Sequence, residues 1–258
     1  MHCLVFDIET VPDVDFGRRY HDLPEMDDDT VAKVMFAHRR ERTGSEFLPL
    51  HQHRVVAISV LLRTRDELRL WSLGDPEADE AELIQRFFDG IERYSPDLVS
   101  WNGSGFDLPV MHYRALRHRI AAPRYWETGD SEQSFRWNNY LSRYHWRHTD
   151  VMDVLAGFQP RAAARLDEIA VLLGLPGKLG MSGDQVWPRY REGGIADIRD
   201  YCETDVLNTF LVYLRFELMR GRLVESEHEA ETVRVREMLE GDGRPHLVSF
   251  LEAWEPDR

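Results

Sequence analysis

Cys3-Leu4-Val5-Phe6-Asp7-Ile8-Glu9-Thr10 opens the chain and decides how the rest is read. An apolar start runs into an alternation of acidic and aliphatic residues, the pattern of a short strand. Side chains two apart on a strand project from one face, so Asp7 and Glu9 present two carboxylates side by side. Val11-Pro12-Asp13 is expected to break the strand, and a polar stretch follows. Asp27-Asp28-Asp29-Thr30 then precedes Val31, Val34 and Met35 and ends in a basic His38-Arg39-Arg40, the charge order of a helix matched to its dipole. The aspartate run is read as helix capping in preference to a metal site.

Beyond this, residues 54–62 form a second strand, apolar enough to be central in a sheet, and residues 68–73 alternate as its hairpin partner. Residues 80–94 carry Leu83, Ile84, Phe87, Phe88 and Ile91 at helical spacing, and 97–101 is a fourth strand ending at Asn102-Gly103-Ser104-Gly105. A helix begins near Asp107, with Pro109 tolerated in its first turn. Residues 123–148 read as irregular. A short strand or turn follows at 150–155, then a helix near 166–173, a loop over 174–191 and one long helix over 195–220. One or two helices close the chain. Strands first, then strand–helix alternation, then helices imply one mixed α/β domain over residues 1–258, with an insertion at about 12–53 and extra helices after about 222.

Composition bounds the function. The chain has 258 residues, 43% apolar and 30% charged, a globular composition. No apolar run approaches the roughly 20 residues of a membrane span. The N-terminus lacks a basic leader, and Cys3 and Cys202 lie far apart with no metal-ligand spacing, so a cytoplasmic protein with two small buried thiols is expected. A net charge of −14 argues against gripping nucleic acid by general basicity. That objection weakens if carboxylates cluster around bound cations and only a strand end is held.

Three segments carry chemistry: Asp7-Ile8-Glu9, Asn102-Gly103-Ser104-Gly105-Phe106-Asp107, and Tyr201-Cys202-Glu203-Thr204-Asp205. Tyr201 and Asp205 share a helix face, and Asp107 follows a strand end and a glycine-rich turn. Each segment alone is an ordinary strand end, helix cap or boundary pair; together they bring four carboxylates and a phenol within reach of one place. Four carboxylates resist ionisation unless cations sit among them, and an oxygen-only ligand set suits Mg²⁺ or Mn²⁺. Two such ions fit in-line displacement at a phosphodiester.

The order Asp-x-Glu, Asn-x-x-x-Phe-Asp, Tyr-x-x-x-Asp resembles the three exonuclease motifs of the DEDD superfamily in its tyrosine-containing branch. Within it, the chain is similar to the proofreading domain of B-family DNA polymerases and to stand-alone bacterial proteins predicted to be such exonucleases. The resemblance implies an RNase H-like fold and 3′–5′ exonuclease activity on single-stranded nucleic acid with a free 3′ end, DNA favoured over RNA. With no polymerase domain following in this sequence, it also implies a free-standing nuclease. It further implies that Asp7, Glu9 and Asp205 hold one divalent cation, that Asp7 bridges to a second reached by Asp107, and that Tyr201 orients the attacking water. Thr10, Asn102 and Phe106 would line the pocket for the terminal nucleotide. Competing readings are a nucleic-acid-binding module of the same fold without catalysis, and a metal-dependent hydrolase of small nucleotides.

Secondary candidates remain. Lys178, among glycines before the long helix, is either a phosphate contact or a solvated loop lysine. Trp126, Arg136, Trp137, Tyr140, Arg143, Tyr144, Trp146 and Arg147 interleave aromatics and bases, as a single-strand stacking surface or as core packing. The pairs His51/His53 and His145/His148 suggest zinc only weakly, without cysteines or a helical i, i+4 pair.

Overall fold

The computed structural model describes residues 1–254. Five strands, β1 (Cys3–Pro12), β2 (His53–Arg63), β3 (Leu68–Ser72), β4 (Asp97–Ser100) and β5 (His148–Asp150), form one sheet in the order β3-β2-β1-β4-β5. The helices are α1 (Val14–Tyr20), α2 (Asp28–Thr43), α3 (Glu80–Tyr94), α4 (Asp107–His118), α5 (Pro123–Trp126), α6 (Val151–Leu155), α7 (Leu166–Leu172), α8 (Val186–Arg191), α9 (Ile195–Met219), α10 (Glu225–Asp242) and α11 (Pro245–Ala253). β1 is central, antiparallel to β2 and parallel to β4, so the sheet is mixed, and β2 and β3 form the expected hairpin.

Alternation along β1 sorts its side chains into two layers. Leu4, Phe6 and Ile8 pack with Ile84, Phe87 and Ile91 of α3 and Leu108 and Met111 of α4. Cys3 and Val5 pack on the other side with Val206, Leu207 and Phe210 of α9. A central strand covered on both faces has no fully solvated side, so its polar residues are at least partly enclosed in their layer. Asp7 and Glu9 fall on the α9 side, where Cys202 meets Asp7. Register slips just after them: Ala57 faces Glu9 and Val55 faces Thr10, leaving Val56 as an extra residue on β2. Such bulges re-aim a strand end, here beside the carboxylates.

Several local readings are corrected. β1 continues through Val11 to Pro12 because β2 pairs alongside it as far as His53. The polar stretch after it holds α1, capped by Asp13, whose carboxylate accepts from Phe16 N at 3.0 Å. Gly17 disguises that helix; it is needed there because a Cβ would collide with Met35 and Val31 of α2. Residues 174–191 are not all loop, since Val186 and Trp187 of α8 pack with Val11, Ala57, Ile198 and Tyr201. At 148–155 a strand is followed directly by α6, and 123–148 contains α5 and a 3₁₀ turn at Gln133–Arg136. Asp27 caps α2 through Thr30, and Asp28 and Asp29 pair with Arg191, as capping and ion pairing require. Among the described residues no helix is long and apolar enough to cross a membrane.

Candidate active site

Three elements deliver the predicted side chains to one end of β1. The strand supplies Asp7 and Glu9. α9 supplies Tyr201 and Asp205 one turn apart on the same face, with the phenol acting on the carboxylate, and Cys202 between them in sequence. The Cys202 thiol lies 3.4 Å from the Asp7 carbonyl and 3.6 Å from its Oδ2. Among the described residues, ligand atoms of Asp7, Glu9 and Cys202 all lie within 4.8 Å of one another. α4 supplies Asp107 from its first position, and Oδ1 accepts from Ile8 N, between the two strand acids, at 3.1 Å.

The turn before Asp107 is built to bring it there. Asn102 sits in the left-handed region at φ +64°, a conformation that asparagine tolerates better than most side chains. Gly103 lies so close to Ser100 that a Cβ would be 2.6 Å from the serine Cβ. Asp150, at the end of β5, accepts from Asn102 N and from Ser104 N, each at 2.9 Å. Asp150 ties the turn to the sheet edge. No sequence pattern marks it.

Crowding and burial dominate the electrostatics. Glu9 and Asp107 are buried; Asp7 and Asp205 are half-buried. Burial, reinforced by the other carboxylates, holds Asp7 and Glu9 well above the usual carboxylate range. Burial pushes Asp107 up to about 7 against the opposing Ile8 N–H, and Asp205 up to about 6 against the opposing Tyr201 hydroxyl and Lys178 charge. Tyr201 is pushed far up by burial and by the same carboxylates, so its phenol stays protonated. The cluster therefore resists full ionisation near neutral pH when no cation compensates it.

The cluster opens onto a cleft of about 1030 Å³ whose lining includes Glu9, Thr10, Asn102, Phe106 and Lys178. The cleft also has walls that sequence reading missed: Phe36, Glu46 and Phe47 from the segment between β1 and β2, and Trp187 and Pro188 from α8. Thr10 Oγ1 bonds His53 Nδ1 at 2.9 Å, and the other ring nitrogen meets the Leu48 carbonyl. His53 is thus engaged in the wall and His51 is exposed, while His148 is buried on Ser100 and His145 bonds Asn139 N. The histidine pairs do not assemble a zinc site among the described residues. The aromatic segment divides: Tyr140 is core beside Tyr125 and Phe135, whereas Trp126, Trp137, Tyr144 and Trp146 are exposed and lie outside the cleft lining. Arg143 pairs with Asp153, Arg147 lies over the Phe135 ring, and Arg136 is exposed.

The profile of a family described as "Predicted 3'-5' exonuclease related to the exonuclease domain of PolB" matches residues 45–254. The chain belongs to this family. The matched part contains Asn102–Asp107 and Tyr201–Asp205 of this PolB-type exonuclease domain but not β1, so Asp7 and Glu9 join the site through the geometry above. A 38-residue stretch is 53% identical to DNA polymerase 1 of Sulfurisphaera ohwakuensis, covering 15% of this chain and 4% of that protein. The family B DNA polymerase of Pyrobaculum calidifontis shares its fold over 85% of this chain and 24% of that one, at a TM-score of 0.51 and 18% identity. The exonuclease-family chain thus spans a small fraction of either polymerase, and its mixed sheet flanked by helices is the RNase H-like fold of a polymerase exonuclease.

Proposed function

We propose that the chain acts as one metal-dependent 3′–5′ exonuclease domain, removing nucleotides from the 3′ end of single-stranded nucleic acid, with DNA favoured over RNA. The observation that carries this is the gathering of Glu9, Asp107 and Asp205 about Asp7, with Tyr201 beside Asp7, Glu9 and Asp205 and Glu9 in the lining of the cleft. Mutual repulsion among buried carboxylates costs stability, and an all-oxygen set beside a neutral thiol fits Mg²⁺ or Mn²⁺. Asp7, Glu9 and Asp205 would hold one ion, and Asp7 with Asp107 a second. Bound there, the ions would supply activation of water and stabilisation of charge on the attacking and leaving oxygens.

The remaining work falls to the protein. A phenol that stays protonated is a donor rather than a base, so Tyr201 orients the attacking water. Water oxygen bonds to phosphorus as the P–O3′ bond breaks, leaving a 3′ hydroxyl on the shortened strand and a released 5′-mononucleotide. Lys178, whose charge acts on Glu9 and Asp205, would neutralise the phosphate. Thr10, Asn102 and Phe106 would hold the terminal nucleotide. The two free, buried thiols suit action in the reducing cytoplasm.

The test is a 5′-labelled single strand incubated with Mn²⁺. A ladder shortening from the 3′ end, absent on a circular strand and slowed in a duplex, is the expected result. Binding without cleavage would favour the inactive module. Hydrolysis of nucleotides but not of strands would favour the small-substrate enzyme.

A further inference from the structure

The insertion contributes an aromatic ring to the cleft that the catalytic motifs do not account for. Phe47 is 58% exposed, yet its backbone is held on both sides. Its carbonyl accepts from Arg39 Nε at 2.9 Å, its N–H donates to Ser45 Oγ at 3.1 Å, and the next residue, Leu48, is buried with Val14, Val31 and Met35. A phenylalanine recruited for packing would put its ring in the core, where burial is worth about 1.5–3 kcal/mol. This one is fixed in place and left in water.

Its neighbours give the exposure a direction. The Phe47 ring centroid lies 5.4 Å from that of His53 and 5.7 Å from that of Phe106, and His53 meets Phe106 edge-on at 5.2 Å. The three rings pack on one another and grade from buried His53, held on Thr10, to half-buried Phe106 and exposed Phe47, and all three line the carboxylate cleft. The adjacent carboxylate, Glu46, is paired with Arg40 at 2.6 Å, which reduces its repulsion of a phosphate chain. An open aromatic face beside a nucleotide pocket suits a nucleobase, because every base has a π-face and stacking does not depend on sequence.

We infer that Phe47 stacks on the unpaired base next to the 3′-terminal nucleotide, making the insertion part of strand recognition. This rests on the exonuclease reading: the terminal nucleotide occupies Thr10 and Phe106, and Phe47 is the solvent-side member of the same ring cluster. A base still paired in a duplex cannot give its face to the ring, so the contact also selects single strands.

The experiment measures the affinity of a short labelled single strand, with Ca²⁺ as the cation to limit cleavage. Phe47→Ala should weaken binding by roughly 5- to 150-fold, the range for loss of one stacked base, and Phe47→Trp should retain it. An abasic residue at the penultimate position should bring wild type down to the Phe47→Ala level and leave Phe47→Ala unchanged. Circular dichroism and the unfolding midpoint of both variants should match wild type. Wild-type affinity in Phe47→Ala, a gap that survives the penultimate abasic residue, or a loss produced instead by Trp137→Ala would overturn the inference while leaving the exonuclease reading standing. A wild-type protein that binds no strand would overturn both.

Discussion

Replacing Asp107 with asparagine should make the cation-free protein more stable and the enzyme inactive. The side-chain amide of Asp107→Asn keeps an oxygen where Oδ1 accepts from Ile8 N at 3.1 Å and removes only the ionisable group. Burial has moved the carboxyl from 3.8 to about 7. Below pH 3.8 both folded and unfolded chains hold the proton, and the group costs nothing. Between that value and about 7 the unfolded chain loses its proton first, so the fold weakens as pH rises; above 7 the loss is complete. At about 1.4 kcal/mol per pH unit, ionising Asp107 costs the fold on the order of 4 kcal/mol. A chain of this size moves its midpoint by roughly 2–4 °C per kcal/mol. Thermal unfolding in EDTA from about pH 4 to about pH 8 should therefore show wild type falling below Asp107→Asn by roughly 10 °C at the alkaline end and converging with it at the acid end. Mn²⁺ at the alkaline end should restore much of the wild-type loss by binding the folded state. Parallel curves for the two proteins in EDTA across this range would refute the crowded-carboxylate account.

Other outcomes follow from the same geometry. Chelation should abolish strand cleavage and Mg²⁺ or Mn²⁺ should restore it; full activity in EDTA would end the two-metal reading. Asp7→Ala should fall to background, whereas Tyr201→Phe should lose about 10- to 1000-fold in rate. A Tyr201→Phe rate equal to that of wild type would leave Tyr201 as packing. Gly103→Ala should destabilise by about 1–3 kcal/mol in denaturant titration, because the new Cβ meets Ser100 rather than open space; neutrality would mean that the turn yields freely.

What could be read from the sequence was what repeats at a fixed period. Asp7 and Glu9 share a strand face, Tyr201 and Asp205 share a helix face, and α3 announces itself through Leu83, Ile84, Phe87, Phe88 and Ile91. What could not be read depended on partners distant in the chain. α8 hides among Gly180, Gly183 and Pro188 because Val186 and Trp187 become ordered against Val11, far upstream on β1, and Tyr201 on the helix that follows. Asp150 braces the Asn102 turn from a neighbouring strand, with no motif to mark it. Cys202 was expected to be a small buried group and is one, but its contact with Asp7 arises only when helix meets strand.

Glu203, between Tyr201 and Asp205, faces away from the carboxylates, accepting from Ser72 Oγ at 2.8 Å and meeting Arg244 at 2.6 Å and His246 at 3.0 Å. Successive helix residues point about 100° apart, so this anchorage sets the azimuth of α9 as a keyway sets a shaft. A fragment cut after α9 would retain every residue of the Tyr-x-x-x-Asp signature while losing part of what fixes its bearing. Pattern matching would score it as intact. The segment after α9 belongs to the definition of the proposed catalytic unit, because Arg244 and His246 help to hold the angle of the helix that carries Tyr201 and Asp205.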